Sequence, residues 1–219
     1  MSSRTSRGPA LIADLAFGAC YLYSPHGRGS IASGSRLLRV RLKTADPRWL
    51  PQYAARVRAL AARSGRYPGF FGPQVVIVPV PGSQPQAQGR PWVAECIAAE
   101  FLRQGLAGRM WSGLRRIRPV RKSATAPQGR RPSVREHCQT LTAESCAEQF
   151  PLLLLVDDIV SKGRTLLAAA DTLRQAFPAS DIRAFAVART MSLVDRIEHL
   201  VAPCEGHIRW DGSDAVREP

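Results

Sequence analysis

No stretch of this chain stays apolar for the roughly 20 residues that a helical bilayer crossing needs. Its opening, MSSRTSRGPALIADLAFGAC, is too short and too mixed in its apolar part for a signal peptide. A cytoplasmic location is the expectation. Cysteine is scarce and scattered: Cys20, Cys96, Cys138, Cys146 and Cys204 include no CxxC pair, which argues against a zinc ribbon and for free thiols in a reducing compartment. The four histidines, His26, His137, His199 and His207, are each isolated, so no His- or Cys-based nucleophilic pattern is visible. Acids are few as well. Asp and Glu number 17 against 31 Lys and Arg, a net charge of +14 that points to an anionic partner, either a phosphorylated small molecule or nucleic acid. The 219 residues suffice for one sizeable α/β domain with appendages, not for a second independent core.

Against these absences stands one chemically dense stretch, Leu152 to Leu166, LLLLVDDIVSKGRTL. The continuous apolar run Leu152 to Val156, entered from Pro151, reads as a strand covered on both faces, as in a parallel sheet. Asp157 and Asp158 fall at its carboxyl end, where open α/β sheets hold their ligands. Ser161, Lys162, Gly163, Arg164 and Thr165 then turn into a helical pattern (Leu166, Leu167, Ala170, Leu173, Phe177). Backbone N–H groups gathered at that helix start make an anion site.

This stretch resembles the signature of type I phosphoribosyltransferases: an apolar strand, an acidic pair, two apolar residues and a hydroxyl-rich turn around glycine. The resemblance implies that Asp157 and Asp158 face the ribose hydroxyls of phosphoribosyl pyrophosphate and that Ser161 to Thr165 hold its 5-phosphate. Lys162 stands where that family usually has a small residue; it either adds charge to the phosphate site or points to solvent. A second strand, Val75 to Val80, ends in PVPGSQPQAQGR, and the resemblance places Gly82, Ser83 and Arg90 beside pyrophosphate. A strand ending in PVP, an Arg-containing loop, the helix Trp92 to Leu102, and Ala188-Arg189-Thr190 after the last strand narrow the likeness to ComF-type competence-associated phosphoribosyltransferase-like proteins. The N-terminal cysteine cluster common there is missing. The implied fold is a Rossmann-like, mostly parallel sheet flanked by helices, with a small N-terminal hairpin or hood and a C-terminal tail.

The expected division is a 1–37 extension with a mobile Gly/Ser loop at His26 to Ser35, a 38–190 core and a 191–219 tail. Residues 1–10 read as a disordered basic lead. LIADLAFGACYLYSP reads as a short helix followed by a strand. Leu38, Val40 and Leu42 alternate with Arg39, Arg41 and Lys43, the period of a strand with one wet face, which is either a contact for an anionic partner or a solvated edge that guards against aggregation. Asp46 and Pro47 start an amphipathic helix that ends near Gly65. Arg115 to Arg135 is too polar for a packed element and reads as a long mobile loop. By resemblance it is a lid, with Lys122, Gln128, Arg130 and Arg131 over the reacting centre; a nucleic-acid-binding arm and a solvated charge run are the alternatives. Ile182 to Val187 continues a βαβ pattern, Leu193 to Leu200 reads as a short helix, and the tail beyond it carries Trp210, either a base-stacking residue of a hood or a packing anchor.

The implied reaction transfers a phosphoribosyl group to a nitrogen acceptor such as a nucleobase and releases pyrophosphate, with Mg2+ bound mainly through the ligand and through Asp157 and Asp158. Ser161 occupies the position where 6-oxopurine enzymes of that fold usually carry an Asp, so it argues against hypoxanthine or guanine. The alternative is a non-catalytic module that senses phosphoribosyl pyrophosphate or binds nucleic acid in DNA uptake. A homodimer is one assembly the resemblance allows.

Overall fold

The computed structural model describes residues 11–86, 89, 91–121, 131–194 and 196–219. Seven strands form one sheet. The apolar runs read from the sequence supply β2 (Gly72–Pro79), β6 (Leu152–Val160) and β7 (Asp181–Thr190), joined by β1 (Asp14–Tyr23), β3 (Ala107–Met110), β8 (Val201–Trp210) and β9 (Ala215–Glu218). The order is β3-β2-β6-β7-β1-β8-β9; pairs from β3 to β1 are parallel, and β8 and β9 are added antiparallel. Leu153, Leu154 and Leu155 of β6 are fully buried, each contributing about 1.5–3 kcal/mol of transfer free energy. That run is continuous because helices cover both faces.

On one face lie α1 (Ser30–Lys43), α2 (Leu50–Ser64) and α3 (Val93–Arg103), packed on Val75, Ile77, Leu154, Val156 and Phe185. On the other, α5 (Arg164–Ala176) buries Leu166, Leu167, Ala170 and Leu173 against Val76, Val78, Leu153 and Leu155. The same side holds α4 (Val134–Cys138) and a two-stranded antiparallel ribbon of β4 (Leu114–Arg116) and β5 (Leu141–Ala143). Among the described residues, no helix is long and apolar enough to cross a membrane.

Several sequence expectations need correction. The alternating stretch Leu38 to Leu42 is not a strand and the described residues form no N-terminal hairpin: residues 30–43 are helical, with Ala32, Ser35, Leu38 and Leu42 buried at helical spacing and Leu37 and Val40 left exposed. Five alternating residues fit both periods, and only the longer window separates them. The Gly/Ser loop reaches only to Gly29; Ser35 is buried inside the helix, donating to the Ala32 carbonyl at 2.7 Å and accepting from the Ser24 amide at 3.0 Å. Residues 14–23 are one interior strand, with no helix over residues 11–13 before it, and the described residues of 193–200 contain no helix. The tail continues the sheet, where Trp210 pairs with Ala215 and packs on the core. The basic segment from Arg115 is not all loop, since Arg116 closes β4 with 2% exposure. α4 opens on a capping box in which Ser133 and Glu136 exchange hydrogen bonds.

Candidate functional site

The acidic pair sits where the interior strand β6 runs out between β2 and β7, with Pro79 opposite Val156 and Asp157 opposite Ala186. Side chains alternate along a strand. Leu154 and Val156 join the α1–α3 face and Leu153 and Leu155 the α5 face, so Asp158 departs toward α1 and Asp157 toward α5. Asp158 is 4% exposed, and the Lys43 Nζ lies 2.6 Å from its Oδ2. Its Oδ1 accepts from the Ile159 amide at 2.7 Å, while Asp157 Oδ1 accepts from the Asp158 amide at 2.8 Å. Burial, reinforced by the neighbouring Asp158 carboxylate, pushes the Asp157 carboxyl above the usual range, and Lys43 opposes this. Burial alone would lower the Lys43 pKa; the charges of Asp158 and Asp157 outweigh it and raise the ammonium above its ordinary value.

Beyond the pair, the turn enters α5 as the sequence predicts. Gly163 is left-handed at φ 88°, and a Cβ there would meet Ile208 Cδ1 at 2.6 Å, so only glycine fits. Gly163 places no side chain over the helix start, and the first turn of α5 contains no acid, so the positive end of the helix dipole is uncompensated from within. Ser161 Oγ lies 3.1 Å from Thr190 Oγ1, which ties this turn to the end of β7 and to the Ala-Arg-Thr segment. The two cations of the turn are engaged elsewhere. Asp214, in the β8–β9 turn, accepts Arg164 in bidentate fashion at 2.5 and 2.6 Å and Lys162 Nζ at 2.8 Å. Burial would raise the Asp214 pKa, but hydrogen bonds from Arg164 and Lys162 hold it far below the carboxylate range. Arg164 also donates to the carbonyls of Arg131 and Pro132, so it clamps the end of the basic segment to the sheet edge.

The loop after β2 wraps Arg116. Its Nε donates to the Gly82 carbonyl, its Nη1 to Thr140 Oγ1 at 2.6 Å, and its amide to Gln86 Oε1 at 3.2 Å, while the Ser83 carbonyl takes the Val120 amide at 2.8 Å. Among the described residues, Arg116 Nη2 and Gln86 Nε2 are buried without a partner. Burial lowers the Arg116 pKa to about 10, against the attraction of nearby Asp157. A Cβ built on Gly82 meets nothing within 4 Å, so the loop is open beside that backbone. On the α5 side, His137 Nε2 is 3.4 Å from Thr165 Oγ1 and its ring is 3% exposed. Burial, and then the charge of Arg116, lower its pKa to about 4, which keeps the imidazole neutral at pH 7.

The structure therefore brings together Asp157, Asp158, Ser161, Gly163, Thr165 and the Gly82–Ser83 backbone, and turns Lys162 and Arg164 to Asp214. Arg131 is exposed and contributes its carbonyl to Arg164. Arg90, Lys122, Gln128 and Arg130 lie outside the described residues. Sequence reasoning missed Lys43, Arg116, His137 and Asp214. The Asp-Gly-Ser-Asp sequence ending at Asp214 is a turn signal, but nothing local aims that acid at α5, and Arg116 is hidden in a run of cations.

The site offers hard oxygen donors. Asp157 and Asp158 fit a Mg2+ that keeps waters and draws its remaining ligands from a bound polyphosphate; among the described residues there is no cluster of three or more His, Cys, Asp or Glu that could hold a metal by itself. A carboxylate pair at a strand end, an uncapped helix start and the buried Arg116 guanidinium can together take a polyhydroxylated, phosphorylated anion. No protein-family model matches this chain, and no curated protein matches its sequence.

Proposed function

We propose that the protein binds phosphoribosyl pyrophosphate on a type I phosphoribosyltransferase-like fold and transfers its phosphoribosyl group to a nitrogen acceptor. The observation that carries this reading is that the acidic pair and the uncapped start of α5 stand at the carboxyl end of one interior parallel strand, seven residues apart from Asp157 to Arg164. Asp157 and Asp158 accept the ribose hydroxyls. The backbone from Ser161 to Thr165 donates to the 5-phosphate, with the Thr165 hydroxyl beside it. Arg116, whose Nη2 is buried without a partner among the described residues, would donate to the pyrophosphate from the Gly82 side. During reaction the bond from the anomeric carbon to the pyrophosphate oxygen breaks, its electron pair leaving with pyrophosphate, and the acceptor nitrogen bonds that carbon and loses its proton to solvent. Asp157 and Asp158, with the ligand's own oxygens, would hold a Mg2+ ion, which would supply charge stabilisation for the departing anion. The protein's own part is to orient the ribose, to set negative charge beside the carbon that becomes positive, and to hold the leaving group with Arg116. Titration calorimetry with phosphoribosyl pyrophosphate, followed by isotope exchange and pyrophosphate release over a panel of bases, tests this. Micromolar binding with turnover of one base is the expected result; binding without turnover of any base leaves a sensor, and no binding defeats the reading.

A second reading, nucleic-acid binding, is favoured by one observation. Between Ser24 and Arg66 stand ten Lys and Arg against a single acid, Asp46, so this stretch carries +9 of the net +14. It comprises α1 and α2, on one face of the sheet. This basic helical layer suits a phosphate backbone better than the segment from Arg115, where Arg115, Arg116 and Arg118 are paired with Glu144, Thr140 and the Gln139 carbonyl. Anisotropy with labelled single-stranded DNA over a salt series would show a steep logarithmic loss of affinity, blunted by Arg56→Ala with Arg58→Ala.

A further inference from the structure

Among the cations near the acidic pair, most are occupied. Lys162 and Arg164 share Asp214, and Arg116 spends all but one of its donor nitrogens on the Gly82 loop and Thr140. Lys43 differs. It is the last residue of α1, its side chain is 48% exposed, and its ammonium touches a carboxylate that is 6% exposed. Three donors radiate from an ammonium. The contact with Asp158 Oδ2 fixes the ammonium by charge, since that oxygen finds no donor in hydrogen-bonding alignment among the described residues. With about half of the side chain exposed, donors remain for a ligand, and the carbonyl end of α1 favours a cation there.

We infer that Lys43 is a polyphosphate-binding residue: the buried Asp158 carboxylate holds its ammonium at the mouth of the acidic-pair site, where it donates to the pyrophosphate of a sugar ligand. Lys43 thereby faces Arg116 across β6, so a cation flanks the polyphosphate from each face of the sheet. This rests on the reading of the site as one for phosphoribosyl pyrophosphate and adds a ligand contact from outside the motif, 114 positions before Asp157. The role is selective. A phosphate at the start of α5 does not need Lys43, but a polyphosphate at the acidic pair does.

The test compares wild type, Lys43→Met and Lys43→Arg by titration calorimetry in Mg2+ with phosphoribosyl pyrophosphate, inorganic pyrophosphate and ribose 5-phosphate, after thermal melts confirm folding. Lys43→Met is expected to weaken the two pyrophosphate-bearing ligands by about tenfold or more, the size of a lost charged hydrogen bond, and ribose 5-phosphate by less than about twofold on the same reasoning. Lys43→Arg is expected to recover most of the loss. Equal weakening of all three ligands would show that Lys43 acts only through the shape of the site and would overturn the inference, as would unchanged pyrophosphate affinity. Should wild type bind ribose 5-phosphate and pyrophosphate separately but not the combined ligand, the donor assignment fails while the Lys43 comparison is still read from pyrophosphate. Wild type that binds none of the three overturns both.

Discussion

At the scale of single residues, the acidic pair and the buried His137 make separable claims. Replacing both Asp157 and Asp158 with alanine is expected to abolish phosphoribosyl pyrophosphate binding while the far-ultraviolet circular dichroism stays that of the native fold, because their carboxylates answer to Lys43 and to backbone amides instead of supporting the core. Unchanged affinity in that double variant would remove the site. His137 bears on stability. Its folded pKa of about 4 lies below the ordinary 6.5, so as pH falls from 6.5 toward 4 the unfolded chain takes up a proton that the folded chain refuses, and stability is lost. The full penalty is about 3 kcal/mol. Asp157 runs the other way: its raised pKa lets the folded state bind a proton first, so it gains stability as pH falls from neutrality. The wild-type melting profile is therefore flattened by compensation, and the difference between wild type and His137→Asn across pH 6.5 to 4.5 isolates the histidine. A wild-type curve parallel to that of the variant would sink the assignment.

At the scale of elements, the phosphate turn depends on Gly163. A side chain there needs a positive φ and collides with Ile208, which is itself fully buried. Gly163→Ala should cost roughly 1–3 kcal/mol in urea unfolding and weaken ribose 5-phosphate binding, because the start of α5 moves with it. The β8–β9 turn is the counterpart: the Asp214 side chain is 20% exposed and takes Arg164 in bidentate fashion, so Asp214→Asn should cost about 1–3 kcal/mol. Freed from Asp214, Lys162 and Arg164 add charge at the turn, and the expected readout is tighter inorganic phosphate binding with a steeper salt dependence. Both elements explain why Ser161 to Thr165 was readable as a turn but not as a charge arrangement. Its backbone is dictated by glycine and by the run of apolar residues that follow, whereas the partner of its cations comes from residue 214, in the turn before an edge strand that no local pattern joins to it.

For the whole molecule, the order of strands places β1 between β7 and β8, so residues 14–23 belong to the interior of the sheet. A chain beginning at residue 38 would lose β1 and most of α1 and leave β7 and β8 without a shared neighbour; the expectation is no cooperative melt by calorimetry, and a sharp native-like transition would contradict the topology. The sequence by itself determined β2, β6 and β7, the helices α2, α3 and α5, and the acidic pair with its glycine turn. These are local matters: runs of apolar residues, helical spacing and left-handed glycine write themselves in neighbouring positions. Only the tertiary structure decided which surface residues 30–43 cover, that the tail pairs as β8 and β9, and that Lys43, Arg116, His137 and Asp214 gather at the acidic pair and the phosphate turn. Those outcomes depend on which distant surface each segment covers. Charge recognises its partner through space, and a lysine spends its charge on an aspartate 115 residues later only after a seven-stranded sheet has brought the two within 2.6 Å.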